Sequence, residues 1–87
     1  MADFLVAYDI KDNKRLAKFA RRMEKIGIRI EYSIFFVPGI SKEEMSEIAI
    51  ELNKLLEDED DVRIYKVTDY GIALGAAEPL EDIFILR

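Results

Sequence analysis

Residues 4–10 read FLVAYDI, an apolar β-favouring run that delivers a carboxylate to its carboxyl end. A charge at the end of a buried strand is costly unless it is solvated, paired or metal-bound, so Asp9 is the first candidate for chemistry. The plainer reading is that Asp9 opens the turn into the next helix. The chain has no histidine and no cysteine. That removes imidazole general-base catalysis, a serine–histidine triad, disulfides and thiolate metal sites, and leaves carboxylates holding a hard cation. A second set of candidates is cationic. Lys14, Arg15, Lys18, Arg21, Arg22 and Lys25 follow one another at helical spacing, with Glu24 as the only acid among them. Such a stripe is either solvated helix surface or a track for a phosphate backbone.

The elements that must position these residues follow from periodicity. Asp12 or Asn13 caps a helix whose apolar positions Leu16, Phe19, Ala20, Met23 and Ile26 share a face, and Gly27 is a fitting stop. Residues 28–39, IRIEYSIFFVPG, are strand, either one long bent strand or two short ones breaking near Tyr32 and Ser33, ended by Pro38 and Gly39. Phe35 and Val37 make the second face of this stretch apolar at its far end, so that end must be covered on both sides, by helices or another subunit. Ser41 and Glu44 have capping-box spacing, and Ile40 and Met45 sit where a hydrophobic staple places them. Met45, Ile48, Ala49, Leu52, Leu55 and Leu56 then form the buried stripe of a second helix. Residues 57–61, EDEDD, lack the glycine and alternating spacing of a calcium loop and read as a solvated helix-to-strand connection. Residues 62–68 are predicted as strand, 69–71 as a tight turn, 72–74 as a short strand, 75–82 as a connector, and 83–86 (IFIL) as a terminal strand. An exposed edge of that composition invites aggregation, so it must pair, at home or on a second subunit.

At 87 residues the chain makes one domain, residues 1–87, whose small core leaves apolar surface for a homodimer to cover. With no cysteine, no apolar run long enough to span a bilayer and no signal segment, a cytoplasmic location without membrane contact is expected. Net charge is −5, which at face value opposes nucleic acid, but its distribution does not. Residues 1–32 hold eight Lys or Arg against five Asp or Glu, net +3, whereas residues 33–87 hold five against thirteen, net −8.

The order of elements predicts an α+β, ferredoxin-like βαββαβ sandwich with an additional C-terminal strand, two helices on one sheet face and the other face left for dimerisation. Tyr8, Asp9 and Ile10 at the end of the first strand, Arg15 in a basic helix, and RIEYSIF at residues 29–35 before a Pro-Gly turn closely resemble the CRISPR-associated protein two family, the small subunit of the spacer-acquisition machinery. The resemblance covers the whole chain. Two departures are Glu31, where many members have Gln, and Phe36 and Val37, where an acidic residue is common.

The resemblance implies a homodimer whose C-terminal strand packs on the partner. It further implies Asp9 as catalytic residue and metal ligand, facing its copy across the dimer axis with one magnesium ion shared between the subunits. Tyr8, Arg15, Arg29 and Phe35 are implied as residues that position nucleic acid or shape the site, beside the stripe of Lys18, Arg21, Arg22 and Lys25. The expected function is an adaptor that grips double-stranded DNA or RNA and bridges copies of the CRISPR integrase subunit, with a magnesium-dependent endonuclease as companion activity. The alternatives are a toxin-like ribonuclease of the virulence-associated protein D group, which shares the fold, and a ferredoxin-like regulatory domain binding a small molecule.

Overall fold

Eight residues of the first apolar run form β1 (Ala2–Asp9), the second-from-edge strand on which both long ladders of the sheet are built. A computed structural model describes residues 1–82. β1 is followed by α1 (Asn13–Glu24), β2 (Ile28–Glu31), β3 (Ile34–Ile40), α2 (Lys42–Asn53) and β4 (Asp61–Val67). The sheet order is β2-β3-β1-β4 with every pair antiparallel, the ferredoxin-like βαββαβ arrangement. Phe4, Val6 and Tyr8 of β1, Phe35 and Val37 of β3, Phe19 and Met23 of α1, and Met45 and Leu52 of α2 make one buried cluster between sheet and helices.

The caps form as their residue types dictate. Asp12 caps α1, its Oδ2 accepting from the backbone N–H groups of Lys14 and Arg15, both at 3.0 Å. Ser41 Oγ accepts from Glu44 N at 3.0 Å and donates to Glu44 Oε1 at 3.2 Å. Gly27 follows α1 for reasons of space: a Cβ there would stand 2.6 Å from Phe36 O.

Residues 28–39 are two strands, turning at Tyr32 and Ser33, and the β2–β3 register shifts between Arg29 and Glu31, so that Ile30 is the extra residue of a bulge. Phe35 and Val37 face the helices, whereas Phe36, fully buried, faces the other way and is covered by the chain's own later residues. The Tyr70 ring meets Phe36 edge-on at 6.2 Å, and its hydroxyl donates to Asp3 Oδ2.

That crossing overturns the expected strand at 72–74. Gly71, at φ +67°, donates its N–H to Asp69 Oδ1 and completes the turn. Instead of returning along β4, the chain is drawn over the sheet by Tyr70, and residues 71–74 pair with no strand among the described residues. The connector carries a turn at residues 75–76 and a helical turn beginning at Leu80, where Asp82 N donates to Pro79 O. The terminal strand expected at 83–86, and its packing on a partner, lie outside the described residues.

Candidate functional site

Alternation along β1 decides where its carboxylate goes. Phe4, Val6 and Tyr8 point to the helices, so Asp3, Leu5, Ala7 and Asp9 line the opposite face. In the β1–β4 ladder Asp9 stands directly opposite Asp61, which puts both carboxylates on that face. Each has a cation: Lys11 Nζ donates to Asp9 Oδ2 at 2.8 Å, and Arg63 Nε lies 3.5 Å from Asp61 Oδ1. The bond to Asp9 raises the pKa of the Lys11 ammonium. Both carboxylates are well exposed.

No group of three potential metal ligands occurs among the described residues. Magnesium, however, prefers hard oxygen donors, retains several waters and is commonly held by one or two carboxylates. A solvated Asp9 at a strand end matches that donor chemistry.

Arg15 is engaged elsewhere. Its Nε donates to Asp60 Oδ2 at 2.9 Å, and its Nη2 to Asp60 Oδ1 at 3.1 Å and Glu59 Oε1 at 2.8 Å. The Asp60 carboxylate has no solvent exposure and accepts two further bonds, from Lys11 N and Glu57 N, each at 2.9 Å. This full set of donors, the Arg15 guanidinium foremost, holds Asp60 well below the usual carboxylate range, and the pair raises Arg15 further. Residues 57–61 are therefore not simply a solvated connection: Asp60 ties it to the β1–α1 junction. The nucleic-acid role implied for Arg15 meets a guanidinium already committed to the fold.

Tyr8 and Phe35 are core residues, 7% and 0% exposed. Tyr8 packs on Phe19 and Phe35 with ring centroids at 4.9 and 5.8 Å, and its hydroxyl donates to Tyr32 O at 3.2 Å. Arg29 lies over the Phe35 ring, its Cζ 5.3 Å from the centroid. These three thus come together on the helix side of the sheet, away from Asp9. Their burial leaves Tyr8 and Phe35 to shape the strand end, and only Arg29 exposed to meet a ligand.

The cationic stripe of α1 divides in two. Lys14, Lys18, Arg21 and Lys25 are all exposed, are spaced 4, 3 and 4 apart, and form no ion pair among the described residues. Arg22 lies on another side of the helix and is ion-paired with Glu51 of α2. In the sequence Asp60 and Asp61 read only as part of the acidic connection, and Lys11 is not singled out. The Asp9–Asp61 juxtaposition depends on strand register, and Asp60 looks no different from its acidic neighbours; only the i, i+2 spacing of Asp9 and Lys11 carried a signal.

Fold and site together define a class: a small ferredoxin-like domain whose second sheet face is only partly covered by its own chain, with a carboxylate at the end of its first strand and, on its first helix, a row of cations unpaired among the described residues. Residues 1–73 match the family model described as CRISPR associated protein Cas2. The CRISPR-associated endoribonuclease Cas2 1 of Nitrosomonas europaea is 33% identical over 81 residues, covering 91% of this chain and 75% of the relative. The crystal structure of the hypothetical protein TT1823 from Thermus thermophilus superposes with a TM-score of 0.80 at 28% identity, over 88% of this chain and 94% of that one. A chain of a partial Cas6-RT-Cas1–Cas2 complex shares the fold at a TM-score of 0.75 and 21% identity, over 92% and 91% of the two chains. The protein belongs to the CRISPR-associated protein Cas2 family.

Proposed function

We propose that the protein acts in CRISPR adaptation as a homodimeric adaptor that holds nucleic acid by its α1 helices and joins it to the integrase subunit. The observation that carries this reading is the row Lys14, Lys18, Arg21 and Lys25, unpaired within the described residues and spaced to follow a phosphate backbone. Family membership supports the setting, and the fold's occurrence in a Cas1-containing complex supports the partner. The dimer is supported by large apolar side chains left exposed, Tyr65 on the sheet face turned from the helices and Ile72 and Leu74 on the segment that follows Tyr70. No helix among the described residues is long and apolar enough to cross a membrane.

The test is the salt dependence of duplex DNA binding. Changing Lys14, Lys18, Arg21 and Lys25 together to Ala should weaken binding and lower the slope of log affinity against log salt by roughly 0.9 for each phosphate the variant no longer neutralises. Arg22→Ala, which removes a cation already paired to Glu51, should leave the slope nearly unchanged. An unchanged slope in the quadruple variant would reduce the row to ordinary solvated surface.

A second reading, magnesium-dependent endonuclease, rests on Asp9. When bound, the ion would polarise a phosphoryl oxygen and lower the pKa of an attacking water. Asp9 would hold it, with its copy from the second subunit completing the site. Arg29, exposed over Phe35 on the helix side of the sheet, is the arginine left to contact nucleic acid away from Asp9, since Arg15 is bound to Asp60. The relative named an endoribonuclease supports this activity. Cleavage of RNA and DNA by wild type and Asp9→Asn, with and without magnesium, tests it: persistence of cleavage in the Asn variant would remove Asp9 from the reaction.

A further inference from the structure

We propose that Lys11 is the resident counter-cation of Asp9, competing with a divalent ion for that carboxylate and thereby setting the ion concentration at which the site fills. This rests on the reading of Asp9 as a metal ligand. The Lys11 ammonium lies 2.8 Å from Asp9 Oδ2, so it already holds and neutralises the carboxylate that an incoming cation would use. It is also anchored from behind. Lys11 N donates to Asp60 Oδ1 at 2.9 Å, and Asp60 is itself clamped by Arg15 and by Glu57 N. The backbone two residues beyond Asp9 is therefore fixed, and the side chain swings from a fixed root within reach of one carboxylate.

Other cations near this end of the sheet have their own carboxylates: Arg63 lies beside Asp61, and Arg15 is bound to Asp60 and Glu59. Lys11 alone, among the described residues, forms an ion pair with Asp9. An ion binding there must either displace this ammonium or share the carboxylate with it, and in both cases a positive charge close by repels the ion. The same ammonium screens Asp9 from Asp61 while no ion is present, so the carboxylate end of β1 is kept neutralised until a divalent ion replaces a monovalent one. The pair is about half exposed on both sides, which confines the effect to the range of surface ion pairs.

The probe is Mn2+, an oxygen-preferring divalent cation whose free fraction is read directly by electron paramagnetic resonance, titrated into the full-length protein without nucleic acid. Lys11→Met keeps the length of the side chain and removes its charge, and should bind Mn2+ about two- to fivefold more tightly than wild type, the range expected from an exposed ion pair. Lys11→Arg, which keeps the charge, should bind like wild type. Asp9→Asn should lose the binding in either background. If Asp9→Asn loses binding while Lys11→Met binds no more tightly than wild type, Lys11 is no competitor and the proposal falls alone. If Asp9→Asn binds as wild type does, the ion is not on Asp9, and the metal reading falls with the proposal.

Discussion

Asp9 and Asp61 stand directly opposite one another in the β1–β4 ladder, two carboxylates on one face of the sheet with Lys11 and Arg63 beside them. Like charges at directly opposed positions destabilise a strand pair by a few tenths to about 1 kcal/mol, an effect that salt screens at exposed sites. In EDTA at low salt, Asp61→Asn is therefore expected to raise the melting temperature slightly, and the gain should shrink at high salt. Asp9→Asn relieves the same repulsion, and in the proposed dimer also that with the second Asp9, but gives up the Lys11 pair, so its gain in EDTA should be smaller. Added magnesium should stabilise wild type and not Asp9→Asn. Differential scanning fluorimetry in EDTA at low and high salt and in magnesium reads these comparisons, and an equal magnesium response in wild type and Asp9→Asn would detach Asp9 from the ion.

Tyr8→Phe separates a packing role from a contact role. The ring stays in the core between Phe19 and Phe35, and only the hydroxyl bond to Tyr32 O disappears. Because that carbonyl sits in an exposed turn that water can reach, the cost should be at the low end for a hydrogen bond, about 0.5–1 kcal/mol. Affinity for duplex DNA should not change at any salt concentration. A folded Tyr8→Phe protein with weakened binding would show that the hydroxyl reaches nucleic acid after all.

The parts of this fold that are legible in the sequence are those whose pattern is local. α1 and α2 announce themselves by caps and by apolar stripes that include Met23 and Leu52, and β1 and β4 by short β-rich runs. The β2–β3 turn is not decidable from the sequence, because Tyr32 and Ser33 continue the alternation and neither is Gly or Pro. Residues 72–74 mislead because Ile72 and Leu74 alternate as a strand does, while what removes them from the sheet is Tyr70 reaching Phe36 and Asp3 far upstream. The site divides in the same way. Asp9 is visible at a strand end, but Arg15 and Asp60 are joined across 45 residues of chain, and no spacing marks Asp60 as the acid of EDEDD whose side chain is held away from solvent.

Gly27→Ala is expected to destabilise the fold by overpacking. The added methyl would meet Phe36 O at 2.6 Å and Val37 Cγ2 at 3.0 Å, and neither can retreat without disturbing β3 in the middle of the core. Such insertions typically cost about 1–3 kcal/mol, and in a domain of this size each kcal/mol lowers the melting temperature by about 4–8 °C. Thermal unfolding checks it. A change below the detectable range would mean that α1 shifts away from β3 at little cost.

Asp60 should govern stability in acid. Its folded pKa lies below the ordinary carboxylate value of about 3.9, because the ionised form accepts from Arg15 and from two backbone N–H groups. A depressed folded pKa means that the unfolded chain takes up the proton first. The stabilisation from this group is complete above the unfolded pKa and is lost as pH falls from about 4 toward the folded value. Asp60→Asn removes the titration and also turns an amide donor toward groups that are themselves donors. The variant should therefore be less stable than wild type at neutral pH, by more than Arg22→Ala, and its stability should fall less steeply between about pH 4 and pH 2. Arg15→Ala should lower stability at neutral pH as well, leaving a carboxylate without its main partner, and combining it with Asp60→Asn should cost less than the two effects added, since both break one interaction. Urea unfolding across this pH range measures the slope and the coupling together. A wild-type acid slope retained in Asp60→Asn would assign acid lability to other carboxylates, and simple additivity with Arg15→Ala would mean that the two side chains stabilise the β1–α1 junction independently.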